Sequence, residues 1–238
     1  SLLPVAKDGS LQPYVQLVQH EGTGANKERQ EKAHVHATVL SPDQRYVYVP
    51  DLGMDKVMAY RFQPAAEKPL QPAQPVFVRS EPGSGPRHFT FHPNGKWAYL
   101  VEELTGTVVA YRYANGKLTS LDRKATHPNT YTGAKGSADI HVSPDGRFLY
   151  ASNRGDANTL AIFAIDSRTG KLTLKGYQPT LGVHPRNFAI DPSGNFLLVA
   201  NRDSNAIVVF RRNPKTGLLR ATGKTIEVPS PVCLKLFR

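Results

Sequence analysis

Three sets of side chains recur at fixed distances from four similar turns, and their chemical types differ between copies. The turns centre on Pro42, Pro93, Pro144 and Pro192. Six positions before each proline stand His36, Arg87, Ala138 and Arg186. Nine positions after it stand Asp51, Glu102, Asn153 and Asn201, and ten positions after it stand Leu52, Glu103, Arg154 and Arg202. A position that serves only the fold should keep one residue type, so this variety is typical of a site for an asymmetric ligand.

These residue types suit the binding and conversion of an anion. Arginine can hold a carboxylate or phosphate with two parallel hydrogen bonds, and His and Glu commonly act as general acids and bases. The arginines have an alternative role as salt-bridge partners between repeats, with Asp139 or Asp203 as the acid. The sequence therefore favours an anionic substrate and leaves the structural alternative open.

The remaining ligand-type residues do not indicate a metal or a disulfide. His34 and His36 lie two residues apart on one side of a strand, but no third ligand stands nearby in sequence. The lone Cys233 cannot form an internal disulfide, and we expect it to be buried. We expect the other histidines of the repeats to be packing residues: His88, His92, His141 and His184.

The repeat itself predicts an all-β fold. Each copy reads as two strands around a Pro-containing turn, as in RHFTFHPNGKWAYLVE from Arg87. A polar turn, a third apolar strand and a fourth strand introduced by Gly-Lys-Leu or a relative follow, as in GKLTSLDRK from Gly116. Four antiparallel strands that recur about every 50 residues indicate a β-propeller blade. The first turn has Gln44 where the others have glycine, so we expect it to differ slightly.

The strand count predicts an incomplete ring. DGSLQPYVQLV from Asp8 resembles a fourth, outer strand, and PSPVCLKLF near the C-terminus resembles a first, inner strand. With four complete blades between them, we expect residues 1–238 to be part of a single β-propeller domain.

The composition limits the classes of binding partner that we expect. The net charge is +11, but Lys and Arg are scattered and do not alternate with aromatic residues as in a nucleic-acid groove. The longest apolar runs are far below the roughly 18 residues that span a bilayer. We therefore expect a small anionic substrate, no nucleic acid and no membrane partner. A single cysteine favours the cytoplasm, while the start at Ser1 leaves a periplasmic or secreted location open.

The sequence resembles the seven-bladed β-propeller lactonases, a family that includes propeller-type 6-phosphogluconolactonases and fungal muconate cyclases. The resemblance runs from about His20 onward and is carried by GPRHFTFHPNGKWAYLVEEL, SADIHVSPDGRFLYASNRG and QHEGTGANKERQEKAHVH. It implies a site without metal or cofactor, built from a His, two Arg and a Glu. These correspond to His36 (with His34 as the alternative), Arg87, Arg154 and Glu103. Seven blades would add about 118 N-terminal residues at this repeat period.

The hypothesis from sequence is hydrolysis of a sugar-acid lactone, 6-phosphogluconolactone or a relative. Arg87 and Arg154 would hold the anion, His36 would activate water, and Glu103 would orient that water or shuttle the proton. Further substrate contacts are expected from His34, Arg186, Arg202, Asp51, Asn153 and Asn201. Two alternatives stay open, a non-catalytic propeller that binds proteins or sugar acids and a muconate-type cycloisomerase.

Overall fold

Within residues 1–236, sixteen strands form four sheets, each a meander of four antiparallel strands. A computed structural model describes residues 1–236. Blade 1 contains β1 (Val39–Leu40), β2 (Tyr46–Asp51), β3 (Lys56–Phe62) and β4 (Leu70–Arg79). Blade 2 contains β5 (Pro86–Phe91), β6 (Trp97–Glu102), β7 (Thr107–Ala114) and β8 (Lys117–Ala125). Blade 3 contains β9 (Ser137–Val142), β10 (Phe148–Asn153), β11 (Thr159–Ile165) and β12 (Leu172–Pro179). Blade 4 contains β13 (Pro185–Ile190), β14 (Phe196–Asn201), β15 (Ala206–Arg212) and β16 (Leu219–Glu227).

These sheets confirm the predicted all-β fold with four-stranded propeller blades. Each blade pairs its strands in chain order, so the inner strand begins at the same end at which the second strand finishes. In blade 2, for example, Pro86 of β5 is opposite Glu102 of β6. This register brings the residues six before and ten after each turn proline to one end of the sheet.

The hydrophobic core lies between neighbouring blades. One cluster joins Tyr99 and Val101 of blade 2 to Leu149 and Phe163 of blade 3, and similar clusters lie on either side of it. A sheet with two apolar faces cannot bury both alone, so adjacent blades depend on one another.

A tyrosine ties each blade to the next one. The hydroxyl groups donate to glycine carbonyls at 2.8, 3.1 and 2.7 Å in three pairs: Tyr48 to Gly116, Tyr99 to Gly170 and Tyr150 to Gly217. These glycines open the Gly-Lys-Leu type motifs and adopt positive φ. A Cβ at Gly116 would stand 2.3 Å from the ring of Tyr46, so the motif requires glycine for close approach as well as for the turn.

Four expectations from sequence need correction: the shape of the first turn, the two terminal strands and the burial of Cys233. Gln44 adopts a left-handed φ of 56°, close to the 69° of Gly95 at the same place, so the first turn keeps the common shape. The segment from Asp8 forms only isolated bridges and attaches to blade 1 through Gln16, whose side chain bonds the backbone of Leu70.

The C-terminal segment also forms no strand over its described residues, and Phe237 lies outside them. A strand needs a ladder partner on at least one edge, and this segment instead bonds two side chains. The Ser230 amide donates to Asn205 at 2.9 Å and the Leu234 amide donates to Asn187 at 2.6 Å. Cys233 is exposed and not buried as expected, because this segment lies outside the blades. The single-domain prediction for residues 1–238 stays a prediction. Within residues 1–236, no helix is long and apolar enough to cross a bilayer.

Candidate functional site

The candidate site lies at the end of the blades where inner strands begin. Arg87 is the second residue of β5, and Glu103 directly follows β6. The Glu103 amide donates to the Gly85 carbonyl at 2.8 Å, which closes this end of blade 2. Two residues sixteen apart in sequence therefore meet because the hairpin returns to its starting end.

Three guanidinium groups surround the carboxylate of Glu103. Arg87 Nε lies 2.8 Å from Oε2, Arg154 Nη2 lies 2.8 Å from the same oxygen, and Arg29 Nη2 lies 2.5 Å from Oε1. Glu103 is only 3% exposed. Burial alone would raise the pKa of Glu103, but the nearby cations of Arg154, Arg29 and Arg87 lower it to about 2. Glu103 is therefore an ionised anchor for arginines.

Arg87 and Arg154 are also held by the backbone of blade 3. Arg87 Nη1 donates to the Ala138 carbonyl at 2.5 Å, and Arg154 Nε donates to the Gly136 carbonyl at 2.9 Å. Burial and the charge of Arg154 lower the pKa of Arg87 to about 10, which leaves Arg87 charged at neutral pH. Both side chains are thus fixed before any ligand binds.

His36 lies beside this cluster in a half-buried position. Its pKa falls to about 4, first because it is buried and then because Arg87 lies near, while Glu103 opposes the shift. His36 is consequently neutral at pH 7 and can accept a proton.

His34 faces elsewhere. Its Nε2 lies 3.0 Å from Glu31 Oε1, and its amide donates to Asp51 at 2.8 Å. The two histidines of the HVH motif therefore have different surroundings, and the charges of Arg87 and Glu103 act on His36.

Arg186 and Arg202 differ in their partners. Arg186 is half-buried and pairs with no acidic side chain within residues 1–236, yet its charge acts on His36, Arg87 and Arg154. Arg202 is 38% exposed and lies 2.6 Å from Asp203. Within the described part of the chain, Arg186 is thus a cation beside the cluster that has no acidic partner.

The residues nine positions after the turn prolines are fully buried, and their side chains bond other groups of the protein. Asp51 accepts from the backbone of Gly53 and lies 2.7 Å from His20 Nδ1. Asn153 bonds Ser137 and the Thr126 carbonyl, both at 2.7 Å. The Asn201 amide group donates to the Thr180 carbonyl at 3.1 Å. Burial argues against direct substrate contact by Asp51, Asn153 and Asn201.

Comparison of the repeats did not predict the contacts of Arg29 and Asp139. Arg29 stands outside the aligned positions, so comparison between blades could not select it, although it lies in the QHEGTGANKERQEKAHVH motif. Asp139 bonds His88 and His141 at 2.7 and 3.0 Å instead of an arginine.

The other two repeat histidines have simpler contacts. His92 packs against Trp97 and bonds the Gly146 carbonyl, as expected for a packing residue. His184 lies 3.2 Å from Asp203. Among residues 1–236, no three His, Cys, Asp or Glu side chains are grouped so that they could hold a metal ion.

Comparison with known proteins places these features in a family. Residues 1–236 match the family model described as "Lactonase, 7-bladed beta-propeller". The chain belongs to this family. It is 42% identical to a 6-phosphogluconolactonase of Formosa agariphila, over all of this chain and 67% of that protein. It is 36% identical to a 6-phosphogluconolactonase of Bacillus subtilis, over 99% of this chain and 66% of that protein.

A solved structure gives the same result. The periplasmic gluconolactonase of Pseudomonas aeruginosa has a TM-score of 0.93 and 44% identity, over 98% of this chain and 64% of that one. The chain thus spans about two thirds of the length of these lactonase relatives. Their agreement in fold extends through all four blades.

Proposed function

We propose that this protein hydrolyses a sugar-acid lactone and that 6-phosphogluconolactone is the first substrate to test. Two curated relatives with this name support the reaction class. The observation that carries the proposal is the charge of the candidate site. Three guanidiniums share the single carboxylate of Glu103, and Arg186 adds another cation without an acidic partner in residues 1–236. Such a positive surplus beside a neutral imidazole suits an anionic substrate.

In this proposal His36 is the general base. Neutral His36 removes a proton from water, and the water oxygen attacks the lactone carbonyl carbon. The developing oxyanion is stabilised by the guanidinium of Arg154, which is already fixed by Glu103 and Gly136. The bond between the carbonyl carbon and the ring oxygen then breaks, and protonated His36 returns the proton to that oxygen.

The pKa of His36 suits this cycle once an anion is bound. With a pKa of about 4, the imidazole is unprotonated at neutral pH but is only a weak base. A phosphorylated substrate would offset the positive field of Arg87 and Arg186, and this would raise the pKa of His36. Substrate binding therefore strengthens the base.

Glu103 takes a different role from the proton shuttle suggested by sequence alone. With a pKa of about 2 and both oxygens in ion pairs, its carboxylate is a poor proton acceptor at neutral pH. We assign it the task of holding Arg87 and Arg154. Arg186 and the 51% exposed Arg29 are the proposed ligands for the anionic group of the substrate.

The test is steady-state kinetics with 6-phosphogluconolactone and with the same lactone lacking phosphate. We expect Arg186→Ala to raise KM about tenfold for the phosphorylated lactone, or about 1.4 kcal/mol, and to change KM far less for the other substrate. Arg220→Ala is the matched control, because Arg220 is an exposed arginine on outer strand β16 of the same blade. It should leave both values nearly unchanged.

Other results would contradict the proposal. Absence of lactone hydrolysis combined with tight binding of the sugar acid would favour the binding-protein alternative. Turnover of a muconate-type dicarboxylate without lactone hydrolysis would favour the cycloisomerase. Equal effects of Arg186→Ala on both lactones would remove Arg186 from phosphate recognition.

A further inference from the structure

A line of hydrogen bonds continues from Arg87 away from Glu103 along the inner strands. Arg87 Nη1 lies 3.2 Å from His88 Nε2, and His88 Nδ1 lies 2.7 Å from Asp139 Oδ1. The other carboxylate oxygen of Asp139 lies 3.0 Å from His141 Nε2. His88 belongs to β5, whereas Asp139 and His141 belong to β9. The line therefore connects the candidate site in blade 2 to the inner strand of blade 3.

These contacts determine the tautomer of His88. A guanidinium can only donate, so His88 Nε2 must accept through its lone pair. An ionised Asp139 can only accept, so His88 Nδ1 must carry the proton. Both requirements are met by one form of the ring, the neutral Nδ1–H tautomer.

Asp139 is well placed to impose this choice. It is 2% exposed, and it also accepts from the Asn187 side chain at 2.6 Å and from the Phe188 amide at 3.1 Å. Burial alone would raise the pKa of Asp139, but His141 and His88 lower it, so the carboxylate is ionised. Donors from three blades hold the carboxylate in one orientation.

Three groups hold the guanidinium of Arg87. Its Nε bonds Glu103 and its Nη1 bonds both the Ala138 carbonyl and His88. Within residues 1–236, Arg87 Nη2 makes no hydrogen bond, which leaves it as the donor for a ligand. The rotation of the planar guanidinium is thus restricted on one side by Glu103 and on the other by the Ala138 carbonyl and His88.

We propose that Asp139 and His88 are positioning residues, in which Asp139 sets the tautomer of His88 and His88 fixes the guanidinium of Arg87 for the substrate. This rests on the proposed lactone hydrolysis for its kinetic consequence. The competing explanation is that Asp139 only joins blades 2, 3 and 4. The two histidines on Asp139 separate these explanations, because His88 contacts Arg87, whereas His141 bonds Asp139 and packs against Phe188.

The kinetic test compares the same substitution at both histidines. We expect His88→Leu to lower kcat/KM for the lactone about tenfold or more, because small misplacement of a binding group is costly. We expect His141→Leu to change kcat/KM less than about twofold at a similar loss of stability. His88→Gln should recover most of the activity, since an amide can donate to Asp139 and accept from Arg87. Equal effects of the two leucine variants, or no recovery in His88→Gln, would overturn the proposal.

A second measurement does not depend on catalysis. Nitrogen NMR of labelled histidine should show His88 as the Nδ1–H tautomer, assigned by the signal that His88→Gln removes. In Asp139→Asn the Nδ1–H tautomer should be less strongly favoured, because an asparagine side chain can either accept from the ring or donate to it. The Arg87 Nε–H signal should broaden in His88→Leu and persist in His141→Leu.

The two measurements distinguish the possible failures. An Nε2–H tautomer in the unmodified protein overturns the positioning role, whatever the activity. The predicted spectra without lactone hydrolysis would support the positioning of Arg87 and overturn the proposed function alone.

Discussion

Glu102 and Glu103 are adjacent and both buried, yet their surroundings shift their pKa values in opposite directions. Glu102 Oε2 lies 2.6 Å from Arg123 and accepts from Thr107, while its Oε1 has no partner within residues 1–236. Burial raises the pKa of Glu102. Glu103 has three arginine partners, and its pKa falls to about 2. The number of cations, more than burial itself, decides the charge of a buried carboxylate here.

The difference arises from the side of the strand on which each residue lies. Successive residues of a strand point to opposite faces, and Glu102 is the last residue of β6. Its side chain lies in a small cavity with Ser80, Tyr111 and Arg123, between blades 1 and 2. Glu103 points instead to the end of the inner strands. The repeat positions nine and ten after the turn prolines therefore have different roles. In blade 2 the first stabilises the packing between blades and the second belongs to the candidate site.

The largest expected effect is the loss of the Glu103 charge. Glu103→Gln leaves three guanidiniums without their carboxylate, and removing one partner of a buried ion pair typically costs about 3–5 kcal/mol. Glu102→Gln should change the free energy of unfolding by less than about 1 kcal/mol, because the burial that raises the pKa of Glu102 disfavours its charge. Urea unfolding of the two variants and the unmodified protein measures both values.

Comparison of the two variants also shows which result would contradict this prediction. Similar losses in Glu102→Gln and Glu103→Gln would mean that burial, and not the arginine cluster, controls both carboxylates. The two substitutions are identical in size and adjacent in sequence, so a general packing defect would affect both.

The pH dependence should also separate the two glutamates. Because the folded pKa of Glu103 lies below its ordinary 4.5, its contribution to stability is present above about pH 4.5 and is lost towards pH 2. The destabilisation by Glu103→Gln should therefore shrink as the pH falls from about 7 to about 3. The folded pKa of Glu102 is raised, so its ionised form weakens the fold at neutral pH and protonation restores stability.

Urea unfolding at several pH values tests this sign difference. Relative to the unmodified protein, Glu102→Gln should be most favourable at neutral pH and should lose that advantage on acidification. A destabilisation by Glu103→Gln that stays constant over the same range would exclude the ion pairs as its cause.

The repeat makes much of this arrangement predictable from sequence. The fixed spacing of Pro42, Pro93, Pro144 and Pro192 predicts the blades, and the variable positions select Arg87, Glu103, Arg154 and Arg186. Spacing could not distinguish Asn153 from Arg154, because both are polar and adjacent and only the orientation of the strand separates them.

Contacts between blades were not predictable in the same way. The Asp139 carboxylate receives donors from three inner strands, and no aligned position contains that information. The segments outside the blades were wrongly predicted as strands, because a strand-like pattern forms a strand only where a ladder partner is available.

The smallest expected effect on stability concerns Arg29. It tests whether every arginine that contacts Glu103 also stabilises the fold. Arg29 is 51% exposed and Arg87 is 2% exposed, although both bond Glu103. An exposed ion pair contributes about 0–1 kcal/mol, so Arg29→Ala should lower the free energy of unfolding by no more than that. Under the proposed function it should instead raise KM for a phosphorylated lactone several-fold while kcat changes little, because it removes a ligand for the anion and leaves His36 and Arg154 in place. Unfolding and kinetics on the same preparation measure both effects, with exposed Arg220→Ala as the control.

A stability loss comparable to that of Glu103→Gln would show that Arg29 is needed for the stability of the fold. An unchanged KM would show that Arg29 does not bind the substrate.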